Sequence, residues 1–186
     1  MIYALLDKER LLKAGRSLTA MSQKLQQQGI SIAQYRNKSQ PLAIQRADLA
    51  IIRQHYHGKL IINDRIELIQ EVDGLHLGQE DIRRFHKSLP LAIKRIRAII
   101  GNKILGLSTH NQAEIEEANQ LDLDYIGLGA YRGTTTKVDA KVLGEDALKL
   151  AKLSHHPVAL IGGVKRTDHF GPQITYRVIG SDLYEN

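Results

Sequence analysis

The chain contains no cysteine, which excludes disulfides, thiolate metal sites and cysteine nucleophiles and suits a reducing interior. Four prolines, 15 glycines and no low-complexity tract leave no place for a long disordered linker. No apolar run is long enough to cross a bilayer. The first residues, Met1 to Asp7, form a short apolar run that ends in an acid and lacks the basic segment of a secretion signal. These absences predict a cytoplasmic protein with no membrane partner. No G-x-G-x-x-G follows the first apolar run, so the chain lacks the usual signature of a dinucleotide-binding sheet. No helix-turn-helix or RNA-binding signature occurs either, and in the most basic segment only Phe85 offers a ring for base stacking.

That last absence bears on the charge. A net charge of +6 and a pI near 9.5 suit nucleic acid, an anionic surface or phosphorylated small molecules. Much of the excess lies between Arg83 and Lys103, where Leu91, Ile93, Ile96, Ile99 and Ile100 recur among the cations at helical spacing. The charges there read as the solvent face of an amphipathic helix, and no nucleic-acid partner is expected.

Eight short apolar runs alternate with helical patterns. The strands are read at Ile2 to Leu6, Ile30 to Gln34, Lys59 to Ile62, Asp73 to Leu77, Ile104 to Leu107, the run Asp124 to Gly129, Val158 to Ile161, and Tyr176 to Ile179. Helices are read from Glu9 to Gln28, where Gly29 stops the pattern, and then from Pro41 to Gln54, Gln112 to Gln120 and Glu145 to Leu153. Ile66 to Glu71 reads as a short helix, and the basic segment is interrupted near Ser88 to Pro90. Alternation of this kind predicts a parallel α/β fold. Nearly every strand ends in polar or glycine-rich residues, which favours a (β/α)₈ TIM barrel, with its site at the C-terminal ends of the strands, over a doubly wound sheet with one switch point. At 186 residues the chain is short for such a barrel, which typically takes about 250, so it must be trimmed; Asp168 to Pro172 reads as loop where a helix is usual.

The polar clusters can be weighed by their chemistry. The run Asp124-Tyr125-Ile126-Gly127-Leu128-Gly129 leads into Thr134-Thr135-Thr136-Lys137, three hydroxyls and an ammonium suited to oxyanions, or to a solvated loop. Gln34, Arg36 and Lys38 alternate along a strand end and share a face, where the two cations could clamp a diphosphate or simply face solvent. Asp64, after Asn63, and Asp81 follow neighbouring strands; hard carboxylate ligands from separate loops suit Mg²⁺, and either acid also suits an N-cap. His110, two residues after Ser108, is a candidate acid/base or a structural hydrogen-bonder. Gly162-Gly163 is a weak phosphate signal, and His155-His156 carries no assigned role.

Taken together, Gln34-Tyr35-Arg36-Asn37-Lys38, Asn63-Asp64, His76-Leu77-Gly78-Gln79-Glu80-Asp81, Gly106-Leu107-Ser108-Thr109-His110, Thr134-Thr135-Thr136-Lys137 and Gly162-Gly163-Val164 resemble thiamine phosphate synthase, in order and spacing, from about Ile2 to Val164. The resemblance implies one barrel domain over residues 1–186 that joins hydroxymethylpyrimidine diphosphate to thiazole phosphate, giving thiamine phosphate and pyrophosphate with Mg²⁺. It implies that Gln34, Arg36, Lys38 and Asn63 hold the pyrimidine diphosphate and that Asp64 and Asp81 ligate the metal. Thr134, Thr136, Lys137 and Ser108 would meet the phosphates or the reacting centre, with Gly163 and Ser181 at the thiazole phosphate. The related thiazole tautomerase would use His110 as acid/base, and a third reading is a non-enzymatic sensor of thiazole or thiamine phosphates. The chain departs from the family pattern in two places. Arg132-Gly133 stands where an aromatic residue and proline precede the threonines, and Val178-Ile179-Gly180-Ser181-Asp182 matches the last phosphate loop only in part, with an acid that would repel phosphate. No closing helix follows, so an uncovered side and a homodimer across it are expected.

Overall fold

The computed structural model describes residues 1–133 and 142–184. Eight parallel strands close into a barrel in sequence order, and β8 pairs back onto β1. β1 (Ile2–Asp7) is followed by α1 (Lys8–Lys13) and α2 (Leu18–Gln27), and β2 (Ile32–Arg36) by α3 (Leu42–His55). β3 (Lys59–Asn63) leads through a 3₁₀ turn (Ile66–Glu71) to β4 (Gly74–Leu77), then α4 (Gln79–Arg83) and α5 (Leu89–Ile100). β5 (Ile104–Thr109), α6 (Gln112–Ala118), β6 (Tyr125–Leu128), α7 (Asp146–Ala151), β7 (Val158–Leu160) and β8 (Tyr176–Ile179) complete the order.

The strands read as unbroken apolar runs because both faces are buried. Ala33, Tyr35, Leu60, Ile62, Leu105 and Leu107 face outward into the layer between sheet and helices. Tyr3, Leu5, Ile32, Ile61, Tyr125, Ala159 and Val178 fill the interior of the barrel. Two acids that open strands do the same work at the barrel's N-terminal end. Asp73 accepts Leu60 N–H at 2.8 Å and Arg53 at 2.6 Å, and Asp124 accepts Leu105 N–H at 2.8 Å and Arg97 at 2.9 Å. Each joins two neighbouring strands to a helix through one carboxylate oxygen.

Three sequence expectations need correction. The helix expected from Glu9 to Gln28 is two helices, because Gly15 takes φ +62 and Ser17 then caps α2 by accepting Ala20 N–H at 3.1 Å. β2 begins two residues later than expected and so carries Arg36 on the strand itself. The side expected to be uncovered is closed. Residues 162–175 hold no helix, and they include the Asp168 to Pro172 loop that the sequence indicated, yet Phe170 and Ile174 pack there. A 3₁₀ turn (Ser181–Leu183) replaces the last helix, and Leu183 and Tyr184 are buried against the barrel. The Tyr184 hydroxyl donates to Leu5 C=O at 2.6 Å and accepts Asp7 N–H at 2.9 Å, which ties the tail to β1. Outward-facing Ile179 is fully buried within the chain.

Candidate functional site

The C-terminal ends of the strands surround a cavity of about 380 Å³. Every sequence-derived candidate among the described residues lines it: Gln34, Arg36, Lys38, Asn63, Asp64, Asp81, Ser108, His110, Gly163 and Ser181. Thr134, Thr136 and Lys137 lie outside the described residues.

On β2 the two-residue period separates two groups. Gln34, Arg36 and Lys38 face the cavity, while Tyr35 and Asn37 are buried, with Asn37 Nδ2 donating to the Tyr35 hydroxyl at 2.9 Å and that hydroxyl to Asp48 at 2.5 Å. Arg36 is held by an ion pair with the buried carboxylate of Asp7, its register partner on β1. Asp7 also caps α1 by accepting Arg10 N–H at 3.1 Å.

Across the mouth, Asn63 ends β3 and Asp64 turns away from it with φ +61, a left-handed conformation that a short polar side chain tolerates. Asn63 Nδ2 donates to Asp64 Oδ2 at 2.5 Å, and Lys38 Nζ stands 3.6 Å from the same oxygen. Asp81 projects from the first turn of α4 towards Asp64. Burial raises the Asp81 carboxyl above the usual carboxylate range, and the charge of Asp64 raises it further. These two carboxyl groups are the residues that could hold a cation here.

The interior below holds a hydrogen-bonded chain that sequence reasoning missed. Gln34 Nε2 donates to the Tyr3 hydroxyl at 3.0 Å, and the Tyr3 and Tyr125 hydroxyls lie 2.9 Å apart. Tyr125 meets His76 Nδ1 at 2.9 Å, and His76 Nε2 meets Ser108 Oγ at 2.9 Å. Burial holds His76 down at about 4, so the ring is neutral and can pass one donor and one acceptor along the chain. Gln79 Nε2 fixes the next carbonyl of this strand end, Ser108 C=O, at 2.7 Å. The available signal was a histidine and two tyrosines at positions of apolar strands where the period points them inward. His110 stands apart from this chain, paired with Glu114 at 2.9 Å.

A family model described as thiamine monophosphate synthase matches residues 2–169. The chain belongs to that family. A thiamine-phosphate synthase from Persephonella marina is 35% identical over 170 residues, 88% of this chain and 76% of that protein. Thiamine-phosphate synthase 1 from Aquifex aeolicus is 34% identical over 145 residues, 74% of this chain and 63% of that protein. The chain thus spans somewhat under two thirds of the Aquifex relative. Among solved structures, a thiamine phosphate pyrophosphorylase from Pyrococcus furiosus superposes with a TM-score of 0.77 over 98% of this chain and 90% of that one; at 23% identity this likeness shows the fold.

The thiamine monophosphate synthase match ends at residue 169, so β8 and the turn after it lie beyond it. There the structure corrects one expectation. Asp182 was expected to repel a phosphate, but Oδ2 accepts Arg166 N–H at 3.0 Å and Arg166 Nε at 2.9 Å, so its charge is matched. Ser181 remains on the cavity wall beside Gly180, facing the Gly162-Gly163 turn across the β7–β8 edge. Among the described residues, the N–H groups of Gly163, Val164 and Ser181 donate no hydrogen bond. Such amides are ready donors for an anion. Among the described residues no helix is long and apolar enough to cross a membrane.

Proposed function

We propose that this chain is a thiamine phosphate synthase, with hydroxymethylpyrimidine diphosphate and thiazole phosphate as its substrates. The observation that carries the reading is the distribution of groups around one cavity. Arg36, Lys38 and the acid pair Asp64 and Asp81 occupy the β2 to β4 side, and the Gly163 and Ser181 amides occupy the β7 to β8 side. A substrate with a diphosphate and a substrate with one phosphate fit at opposite walls, with the reacting atoms between them. The synthase names of the Persephonella and Aquifex relatives support this reading over the tautomerase. One barrel domain over residues 1–186 and a cytoplasmic setting belong to the same proposal.

The reaction forms a carbon–nitrogen bond between the exocyclic pyrimidine carbon and the thiazole nitrogen. The carbon–oxygen bond to the diphosphate breaks, and pyrophosphate leaves with the electron pair. No covalent residue is required. Arg36, held by Asp7, and Lys38 offset the charge that grows on the leaving group. Ser108, oriented through His76, and Gln34, oriented through Tyr3, sit at the cavity floor where the pyrimidine would lie. Lys137, with Thr134 and Thr136, belongs to the same proposal as a set of phosphate contacts.

Asp64 and Asp81 suit Mg²⁺, which commonly takes one or two carboxylates together with substrate phosphate oxygens and water. Among the described residues no group of three or more His, Asp or Glu side chains that could hold a metal ion occurs. When bound, Mg²⁺ would supply positive charge to the departing pyrophosphate.

The test is pyrophosphate release and thiamine phosphate formation by the purified protein with both substrates, with Mg²⁺ and then with a chelator. The expected result is matched release and product formation that the chelator stops. Absence of both products from a folded protein in Mg²⁺ overturns the proposal.

A further inference from the structure

The turn after β7 has no helix behind it to hold its shape, because residues 162–175 are irregular. Arg132 does that work from the end of β6. Its backbone N–H donates to Gly162 C=O at 2.9 Å, and its guanidinium donates to Gly163 C=O at 2.9 Å. The same guanidinium grips both carboxylate oxygens of Asp168, at 2.6 and 3.1 Å, and its central carbon lies 4.6 Å from the centre of the Tyr131 ring. Asp168 Oδ2 also accepts Lys165 N–H at 2.8 Å and so closes the following turn. One side chain thereby ties the β6 end, the glycine turn and the loop that stands in place of a helix.

The packing is close as well as polar. Gly163 takes φ +61, and a Cβ there would lie 2.7 Å from Arg132 Cβ. Exposed ion pairs usually contribute little. This one differs because it is forked and because a carbonyl shares the guanidinium; the Asp168 side chain is 17% exposed and the Arg132 side chain 43%.

We propose that Arg132 and Asp168 are positioning residues whose clasp holds the Gly162-Gly163 turn in the shape that receives the phosphate of the thiazole substrate. The proposal rests on the synthase reading for the identity of that substrate. The pair therefore sets the affinity for thiazole phosphate and leaves the pyrimidine diphosphate, bound across the barrel at β2, unaffected.

The experiment compares wild type with Arg132→Gln, Asp168→Asn and Arg132→Lys. It measures KM for each substrate with the other saturating, the Kd for thiazole phosphate by calorimetric titration, and the melting temperature. Arg132→Gln and Asp168→Asn should each raise KM and Kd for thiazole phosphate about 10-fold, with kcat and KM for the pyrimidine diphosphate within about twofold of wild type. Arg132→Lys, which keeps the charge but loses the fork, should fall between. An equal rise in both KM values, or a lower melting temperature with unchanged thiazole phosphate affinity, would show a purely structural pair and overturn the proposal. If wild type forms no product, the synthase reading falls separately, and the titration still decides the clasp. Weaker binding by Arg132→Gln supports it; equal binding, or no binding by wild type, overturns it.

Discussion

His76 stands 2.9 Å from Ser108 through Nε2 and 2.9 Å from Tyr125 through Nδ1, with its ring stacked on Tyr125 at 5.5 Å between centroids. The barrel interior thus orients a hydroxyl at the cavity floor through a neutral imidazole. Burial lowers this histidine from 6.5 to about 4, with the charge of His110 adding to the effect. An unfolded chain therefore binds a proton between those values that the folded chain refuses, and stability must fall as pH falls from about 6.5 to about 4. This one group accounts for up to roughly 3 kcal/mol across that window. Urea midpoints at pH 7 and pH 4.5 should differ less in His76→Gln than in wild type; parallel slopes would refute the account.

Burial first, and then the neighbouring charge of Asp64, raise the Asp81 carboxyl above its ordinary value, so its ionised form is unfavourable where it stands. Asp81→Asn should therefore raise the metal-free melting temperature by about 2–4 °C, the shift that roughly 1 kcal/mol produces in a domain of this size. The same substitution should abolish any stabilisation by Mg²⁺ and lower metal-dependent pyrophosphate release by at least about 100-fold. Scanning calorimetry with and without Mg²⁺ gives both parts. A variant that melts lower without metal and still responds to Mg²⁺ would contradict the pairing.

Tyr184→Phe removes the hydroxyl that serves both Leu5 C=O and Asp7 N–H. Two buried backbone groups then lose a partner, at a cost of about 1–3 kcal/mol. Because Asp7 carries Arg36, KM for the pyrimidine diphosphate should rise while KM for thiazole phosphate stays close to wild type. Denaturant unfolding and steady-state kinetics read the two effects independently.

Gly106 lies under the Tyr125 ring, and a Cβ there would stand 2.2 Å from the ring's Cζ. Gly106→Ala must displace the ring and disconnect Tyr3 from His76. The expected cost is about 1–3 kcal/mol in stability, with a fall in kcat from the disordered Ser108. Unchanged denaturation and kcat would show that Tyr125 has another rotamer that preserves the chain.

Much of this protein is legible in the order of its residues. Parallel strands buried on both faces appear as plain apolar runs, and the loops that follow them carry the chemistry, so the barrel and the candidates at Gln34, Arg36, Asn63, Asp64, Asp81, Ser108 and Gly163 could be named before any coordinates. The alternation along β2 even places Gln34, Arg36 and Lys38 together, because that period is local. Closure decided the rest. Tyr3 and Tyr125 are 122 residues apart and His76 and Tyr125 are 49 apart, and a local period gives the face of each strand but neither its depth in the barrel nor its partner across it. For the same reason Asp182 read as a charge against phosphate until Arg166 met it, the tail read as a gap until Tyr184 reached β1, and Arg132 read as a departure until Asp168 stood opposite. Sequence determined which groups each strand end offers; only the closed barrel determined which of them touch, because contact depends on register and closure that no single segment encodes.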